Sequence, residues 1–227
     1  MNKPTVAVII LSSFCFSASL AKAQYDWYFP PGAGPYFRAG VGPTIFQDGT
    51  LQQFGTTGSA PVSYDTGVTA DAAFGYAFNK YAGLDFESGY VWGRINNVQG
   101  FQANGSTLAN VPLLVNATFS LPIPHTPIVP YIGAGVGGSV AMFDGHNFND
   151  GTDFVQGEES DTVFAYQAFA GIRFKVAPNV TLGVGYKYFA TSGTTFSYPT
   201  PPFGPNFNVG FSGIQSHSIL LTLQVNF

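Results

Sequence analysis

The tripeptide Ser216-His217-Ser218, near the end of the chain, has the residue types that nucleophilic catalysis uses. A histidine activates a serine only when both side chains lie within hydrogen-bond reach. The tripeptide overlaps the start of the stretch 217–227, in which apolar residues recur at every second position as far as Phe227. This spacing is typical of a β-strand, in which neighbouring side chains point to opposite faces. Both serines would therefore face away from His217, and the sequence predicts no catalytic residue.

Charged residues show a second pattern that could do chemistry. They lie on the polar side of strand-like runs, and none lies on the apolar side. The set comprises Arg38, Asp71, Asp85, Glu87, Arg173, Lys175 and Lys187. If that side faces a narrow interior, burial requires these charges to pair. Two hypotheses remain open: a structural ionic plug, or a gate in which Glu87 or Asp85 separates from Arg173 or Lys187 to open an ion path.

Metal and cofactor sites receive little support from the sequence. The segment 144–161 contains six acidic residues and no Lys or Arg, so it is either a solvated acidic loop or a site for Ca²⁺ or Mg²⁺. It lacks the ligand spacing of an EF-hand, because Phe148 stands where a carboxylate or amide is needed. Gly133, Gly135 and Gly138 imitate a dinucleotide-binding fingerprint, but no helix is predicted after them. We therefore expect no cofactor, no metal ligand and no nucleic-acid partner.

The composition indicates an outer surface that does not face water. Charged residues make up 9% of the 227 residues and aromatic residues 16%, whereas a soluble protein needs a charged surface. Residues 1–23 combine Lys3, an apolar stretch and Ala-Lys-Ala before Gln24, the pattern of a secretory signal peptide. We expect residues 24–34 to form a periplasmic leader. Export without a predicted spanning helix leaves a soluble secreted protein or a transmembrane β-barrel.

Eight alternating runs favour the barrel and place the charged residues. They lie at about 36–46, 66–78, 81–92, 108–121, 131–143, 163–175, 180–189 and 217–227. Their lengths suit tilted strands that cross a bilayer. Short and long connections alternate, as in barrels with periplasmic turns and extracellular loops. The sequence predicts an all-β, eight-stranded, antiparallel up-and-down transmembrane barrel over residues 35–227, closed by pairing of the last run with the first.

Several runs also resemble a known family. PYIGAGVG (130–137), FAYQAFAGIRF (164–174) and NVTLGVGYKYF (179–189), with the terminal aromatic strand, are similar to small outer-membrane β-barrels related to OmpX and the transmembrane domain of OmpA. The resemblance implies that Phe227 is the signal read by the outer-membrane assembly machinery. Some such barrels modify lipid A, but position 219 is Ile and no Glu follows, which departs from their pattern. No peptidoglycan-binding domain is implied.

The expected function follows from the architecture. We expect a monomer in the outer membrane of a Gram-negative-type bacterium, with lipid, lipopolysaccharide and the assembly machinery as partners. Its role is structural or one of surface interaction with an unidentified ligand, with residues 144–161 and 190–212 as contact loops. A small gated ion channel is the alternative, and a lipid-modifying enzyme is a remote one.

Overall fold

The computed structural model describes residues 32–54, 59–98, 106–149, 154–198 and 207–227. The predicted signal peptide and most of the predicted leader lie outside these ranges. The described residues form twelve β-strands: β1 (Gly34–Phe46), β2 (Gly49–Phe54), β3 (Ala60–Tyr64), β4 (Gly67–Ala77), β5 (Ala82–Val98), β6 (Thr107–Ser120), β7 (Ile128–Asn149), β8 (Phe154–Ala177), β9 (Val180–Thr191), β10 (Thr194–Tyr198), β11 (Phe207–Phe211) and β12 (Gln215–Asn226). A helix with the length and apolar character needed to span a membrane is absent from the described residues.

Eight of these strands form a closed antiparallel ring. Going round it, β1 pairs with β4, β4 with β5, β5 with β6, β6 with β7, β7 with β8, β8 with β9, β9 with β12, and β12 with β1. The last pairing closes the ring and leaves it without a free edge. The prediction of eight antiparallel strands, with the last beside the first, is confirmed.

The two faces of the ring differ as the alternation predicts. On β4 every second side chain is buried, so that Phe74 is 62% exposed while Asp71 is 8% exposed. The outer face carries apolar side chains such as Val136 and Leu221, which are 58% and 65% exposed. A surface of this kind suits a lipid environment, where charges are costly and apolar side chains are not. The polar side chains of the same strands therefore point into the lumen.

The two ends of the ring are built differently. At one end, which we call the turn end, β4, β6 and β8 are followed by short connections. In the first of these, the Asn79 side-chain oxygen accepts hydrogen bonds from the amides of Tyr81 and Ala82 at 2.7 and 3.0 Å. The beginning of β1 and the end of β12 also lie here, where the Phe227 amide donates to Pro35 O at 2.9 Å. The opposite end, which we call the loop end, carries the longer connections.

The loop end is more regular than the sequence predicted. Segments expected to be loops after the first and seventh runs contain β2, β3, β10 and β11, which pair in the order β10-β11-β2-β3 and join the far part of β5. β7 and β8 continue as one ladder to Asn149 and Phe154, inside the segment predicted as an acidic loop. The long connections of this end therefore contain strands that the eight predicted runs did not include, because the strands pair beyond the barrel proper.

Candidate functional site

Five of the seven charged residues expected in the lumen come together near the middle of the barrel. Arg38 lies on β1, Asp71 on β4, Asp85 and Glu87 on β5, and Lys187 on β9. All five are at most 8% exposed. We call this group, together with the side chains that hydrogen-bond to it, the lumen network.

Glu87 is the centre of the lumen network. Its carboxylate contacts both cations, with Arg38 Nη2 at 3.0 Å from Oε2 and Lys187 Nζ at 2.6 Å from Oε1. Arg38 also pairs with Asp85 at 3.2 Å, and Lys187 with Asp71 at 2.5 Å. Two cations therefore hold three carboxylates, and the pair of Glu87 with Lys187 joins β5 to β9 across the lumen. In a buried setting such pairs are stable only when the remaining polar atoms are also satisfied.

Neutral side chains donate further hydrogen bonds to two of the three carboxylates, Asp85 and Glu87. Asn116 Nδ2 donates to Asp85 Oδ1 at 2.7 Å and to Glu87 Oε2 at 3.1 Å. Gln167 Nε2 donates to Glu87 Oε1 at 3.0 Å, and the Tyr36 hydroxyl donates to Asp85 Oδ2 at 2.6 Å. None of these three residues was predicted from the sequence as a site residue. Their position on the polar side of the runs was the available signal.

Small residues on the inner face make room for the lumen network. Ala73 of β4 lies between Arg38 and Glu87 in the strand register, so the guanidinium reaches across β4 without obstruction. A Cβ atom on Gly40 would lie 2.7 Å from Asp71 Oδ1. On β7, a Cβ atom on Gly135 would overlap the side-chain oxygen of Asn116. The inward glycines of these runs are therefore needed for space rather than for an unusual backbone conformation.

This leads to a prediction for β7. Gly135→Ala should lower the free energy of unfolding by about 1–3 kcal/mol, because overpacking a filled interior forces side chains from their preferred positions. The measurement is urea unfolding of the protein folded in lipid vesicles. Gly138→Ala on the same strand is the control, since its Cβ would meet only Val163 O at 3.7 Å and should change stability little. Equal effects of the two variants would contradict the packing described here.

Arg173 and Lys175 do not join the lumen network. Both lie on β8 near the turn end, and neither forms an ion pair within the described part of the chain. The Arg173 guanidinium instead lies 4.0 Å from the centre of the Tyr131 ring. The expected pairing of Arg173 with Glu87 or Asp85 was therefore wrong. On β9, the residue opposite Arg173 is Gly183, four positions from Lys187, a distance of about 13 Å along a strand.

The two cations border a cavity at the turn end that we call the vestibule. Its volume is about 230 Å³. Side chains from β6, β8, β9 and β12 line it, among them Thr118, Arg173, Lys175, Thr181 and Gln224. The cavity beside Asp71, Glu87 and Lys187 is far smaller, about 10 Å³, which is room for about one water molecule. The lumen network thus closes the lumen above the vestibule.

Toward the loop end the interior changes from polar to apolar. The hydroxyl groups of Thr44, Thr69 and Ser218 bond to one another at 2.6 to 3.2 Å. Beyond them lies a packed group that we call the apolar cluster, with Phe143 at its centre, 5.6 Å from the Phe196 ring and 5.1 Å from the Phe211 ring. Its buried members are Phe46, Leu51, Ala60, Val62, Val91, Ile95, Val98, Leu108, Leu114, Ala141, Phe143, Val163, Ala165, Phe189, Phe196, Val209, Phe211 and Ile214.

The apolar cluster extends beyond the membrane-spanning ring, since β2, β3, β10 and β11 all contribute to it. Tyr64 packs against the cluster, with its ring 5.7 Å from that of Phe46. Burial, followed by the nearby carboxylate of Asp48, raises the pKa of the Tyr64 hydroxyl. Tyr64 is therefore neutral in the physiological range. The loop end therefore has its own core. The strands β2, β3, β10 and β11 and this core form a folded unit that we call the platform.

The Ser216-His217-Ser218 tripeptide has the geometry that the alternation predicted. Ser216 and Ser218 are buried in the lumen, at 0% and 1% exposure. The His217 ring is on the outer face, where it bonds to Gln47 Nε2 at 2.6 Å and to the Tyr186 hydroxyl at 2.5 Å. Each serine is thus separated from His217 by the strand itself. The arrangement provides no base for a serine nucleophile.

The acidic segment 144–161 and the loop 190–212 lie only partly within the described residues. Of the former, Asp161 accepts a hydrogen bond from the Thr194 hydroxyl at 2.9 Å, which joins β8 to β10. Among the described residues, no group of three or more His, Cys, Asp or Glu side chains is placed to hold a metal ion. Phe227 follows the end of β12 and is 59% exposed.

Comparisons with known proteins agree with this architecture. A family model described as outer membrane protein beta-barrel domain matches residues 8–227. OprG from Pseudomonas aeruginosa is similar at a TM-score of 0.61 and 11% identity, with 87% of this chain and 99% of that chain covered. Neisserial surface protein A is similar at a TM-score of 0.54 and 19% identity, covering 86% of this chain and 99% of that one.

The structure of AlkL in lipid bilayers is a third similar fold, with a TM-score of 0.51 and 17% identity over 88% of this chain and 92% of that chain. No curated protein sequence matches the chain significantly. At these identities the similarity to solved structures concerns the fold.

Proposed function

The chain belongs to the outer membrane β-barrel family, and from this we propose that it is a sealed barrel that displays a folded platform at the cell surface. Its role is structural or one of surface interaction. The single observation that carries this proposal is the filling of the lumen: ion pairs centred on Glu87 cross its middle, and the apolar cluster occupies its loop end. An eight-stranded barrel has an interior just large enough for its own side chains.

The platform supports an interaction role. Strands beyond the spanning ring give the loop end a core of its own, which makes this end of the barrel a rigid base. Segments placed on rigid scaffolds are where binding residues concentrate. The segments concerned are the predicted contact loops 144–161 and 190–212, of which residues 150–153 and 199–206 lie outside the described residues. We propose that the partner is a molecule outside the cell that contacts these segments, while lipid and lipopolysaccharide surround the outer face of the barrel.

The proposed orientation can be tested by cysteine labelling of intact cells. Cys15 is the only cysteine and lies in the predicted signal peptide, so a single engineered cysteine reports its own position. Ser197→Cys, on exposed β10, should react with a membrane-impermeant maleimide. Asn179→Cys, in the exposed turn between β8 and β9, should react only after the outer membrane is permeabilised. Labelling of Asn179→Cys alone on intact cells would reverse the orientation and overturn the proposal.

The surface role is separable from the fold. Replacing segments 150–153 and 199–206 with Gly-Ser linkers of equal length leaves β7, β8, β10 and β11 intact. We expect the variant to fold and to keep its heat-dependent gel migration, while cells that carry it lose adhesion to the surfaces that wild-type cells bind. Unchanged adhesion would favour a purely structural role.

A gated channel is the second candidate, and the sharing of Glu87 favours it. Because one carboxylate holds both Arg38 and Lys187, its movement would break two ion pairs together. The gate would involve Arg38 rather than Arg173, which lies outside the lumen network. The double variant Arg38→Ala, Lys187→Ala should then conduct ions in a planar bilayer. If that variant is folded and carries no current, the gate is excluded.

A further inference from the structure

The vestibule has an unbalanced positive charge. Arg173 and Lys175 border it from β8, and Lys80 borders it from the turn after β4. No Asp or Glu side chain of the described chain is among its lining residues. Phe227 also borders it, and its main-chain amide is bound to Pro35 O at 2.9 Å. The charge balance of the lumen network is the opposite, since two cations face three carboxylates there.

Polar atoms around the vestibule also lack partners. Within the described part of the chain, four buried atoms of its lining residues make no hydrogen bond to another protein group: Thr118 Oγ1, Arg173 Nε, Thr181 Oγ1 and Gln224 Oε1. The three uncharged side chains are 7 to 8% exposed. Buried polar groups in proteins are nearly always hydrogen-bonded, so a cluster of four such atoms at one cavity calls for an explanation.

The strand register brings several of these groups side by side. Gln224 of β12 lies opposite Thr181 of β9, and Thr181 lies opposite Lys175 of β8. Directly opposed residues have Cβ atoms about 4.5–5.5 Å apart. One row therefore presents an amide, a hydroxyl and an ammonium group to the same cavity. Arg173 is two positions from Lys175 on the same strand and faces the same side.

We infer that the vestibule binds a small soluble anion that carries a phosphate group. The planar guanidinium of Arg173 suits a phosphate, which accepts two parallel hydrogen bonds. Lys175 and the threonine hydroxyls add further donors, and Gln224 Oε1 accepts from a protonated oxygen of the same group. The cavity of about 230 Å³ lies below the usual range for drug-sized ligands, which limits the anion to a phosphate ion or a small phosphate monoester.

The anion is taken to be soluble rather than a lipid headgroup because the binding groups lie on inner faces. Leu182 and Leu223, which alternate with Thr181 and Gln224, are 49% and 43% exposed on the outer face, where lipid is. A strand wall therefore separates lipid from the cavity. This inference does not depend on the role proposed for the loop end, because it concerns the other mouth of the barrel.

The test uses the full protein in a maltoside detergent, which contains no phosphate. Inorganic phosphate is titrated while the backbone amide resonances of Thr181 and Gln224 are followed by NMR. We expect saturable shifts at these two residues and none at Thr44, which lies beyond the lumen network. Arg173→Gln should weaken the binding about tenfold, the loss expected for a charge-assisted hydrogen bond. Lys175→Gln serves if the first variant does not fold.

Arg94→Gln is the matched control, since Arg94 is an exposed cation on β5 whose guanidinium lies 5.5 Å from the Trp92 ring centre. It removes the same charge from the loop end and should leave phosphate binding unchanged. Shifts reproduced by chloride at equal ionic strength would show general screening and overturn the inference. Binding of dihexanoyl phosphatidic acid without binding of phosphate would assign the site to lipid and overturn the soluble source.

Discussion

Replacing Glu87 with glutamine should lower the free energy of unfolding by about 1–3 kcal/mol, the cost of leaving buried hydrogen-bond donors without their acceptor. Glu87 is 1% exposed and contacts both Arg38 and Lys187. Glutamine keeps the size of the side chain and removes its charge. The two cations are then left with Asp85 and Asp71 respectively, and the amide of the new glutamine meets donors where the carboxylate accepted. Urea unfolding in lipid vesicles, followed by tryptophan fluorescence, measures the change.

A matched control separates burial from loss of charge alone. Glu158 lies in β8 and is exposed, so Glu158→Gln should change stability by no more than about 0.5 kcal/mol. A second comparison uses Lys187→Gln alone and together with Glu87→Gln. Because the two residues are in direct contact, their effects should not be additive, and the double variant should lose less than the sum. Additive losses would mean that Glu87 and Lys187 do not act as a pair.

Phe143→Ala should destabilise the loop end by about 3–5 kcal/mol, the range for truncating a buried phenylalanine. Phe143 is fully buried and contacts the rings of Phe196 and Phe211. These contacts join β7 to the short strands β10 and β11, which belong to the platform. The cavity left by alanine should loosen the platform before the spanning ring, because the ring has hydrogen bonds all round. Limited proteolysis of the refolded protein, compared with its unfolding midpoint, measures both effects.

Phe143→Leu is the control for this prediction. It keeps an apolar side chain of nearly the same reach and should lose less than half as much stability as alanine. Cleavage of the alanine variant is expected between β10 and β11 or between β2 and β3. If the alanine variant resists protease as well as wild type does, the apolar cluster does not hold the platform together.

The spanning strands could be predicted from the sequence because the residue types on both faces of each strand are restricted by their surroundings. Lipid on one side and a narrow lumen on the other impose strict alternation over ten or more residues, as on β4, where Ala72 and Phe74 face out and Asp71 and Ala73 face in. The platform strands could not be found in this way. They are five or six residues long, and β11 pairs with β2 across about two thirds of the chain. Periodicity indicates a strand but not its distant partner.

The charged members of the lumen network could be predicted from the sequence, but its neutral members and its pairing could not. Alternation identified Arg38, Asp71, Asp85, Glu87 and Lys187 as inward-facing, and the structure brings them together. Which charges meet depends on their height along the barrel axis, which is set by the stagger between strands. For that reason the expectation about Arg173 was wrong. Arg173 borders the vestibule instead.

The neighbours of the inward-facing glycines could not be predicted from the sequence either. The sequence placed Gly133 and Gly135 on the inner side of a run, but it did not reveal that they face Phe169 and Asn116. A missing side chain becomes informative only when the residue that uses the space is known. Asn116, in turn, is a neutral residue among charged ones, and its role in holding Asp85 and Glu87 follows from the strand register.

The most direct test of a sealed barrel is the ionic current through the wild-type protein. Refolded protein is inserted in a planar lipid bilayer, and insertion is verified independently by protease protection of the spanning ring. With the lumen network and the apolar cluster both in place, we predict no current steps above those of the protein-free bilayer. Discrete and reproducible conductance steps from the wild-type protein would contradict the account, because they would require a continuous aqueous path past Glu87 and Phe143.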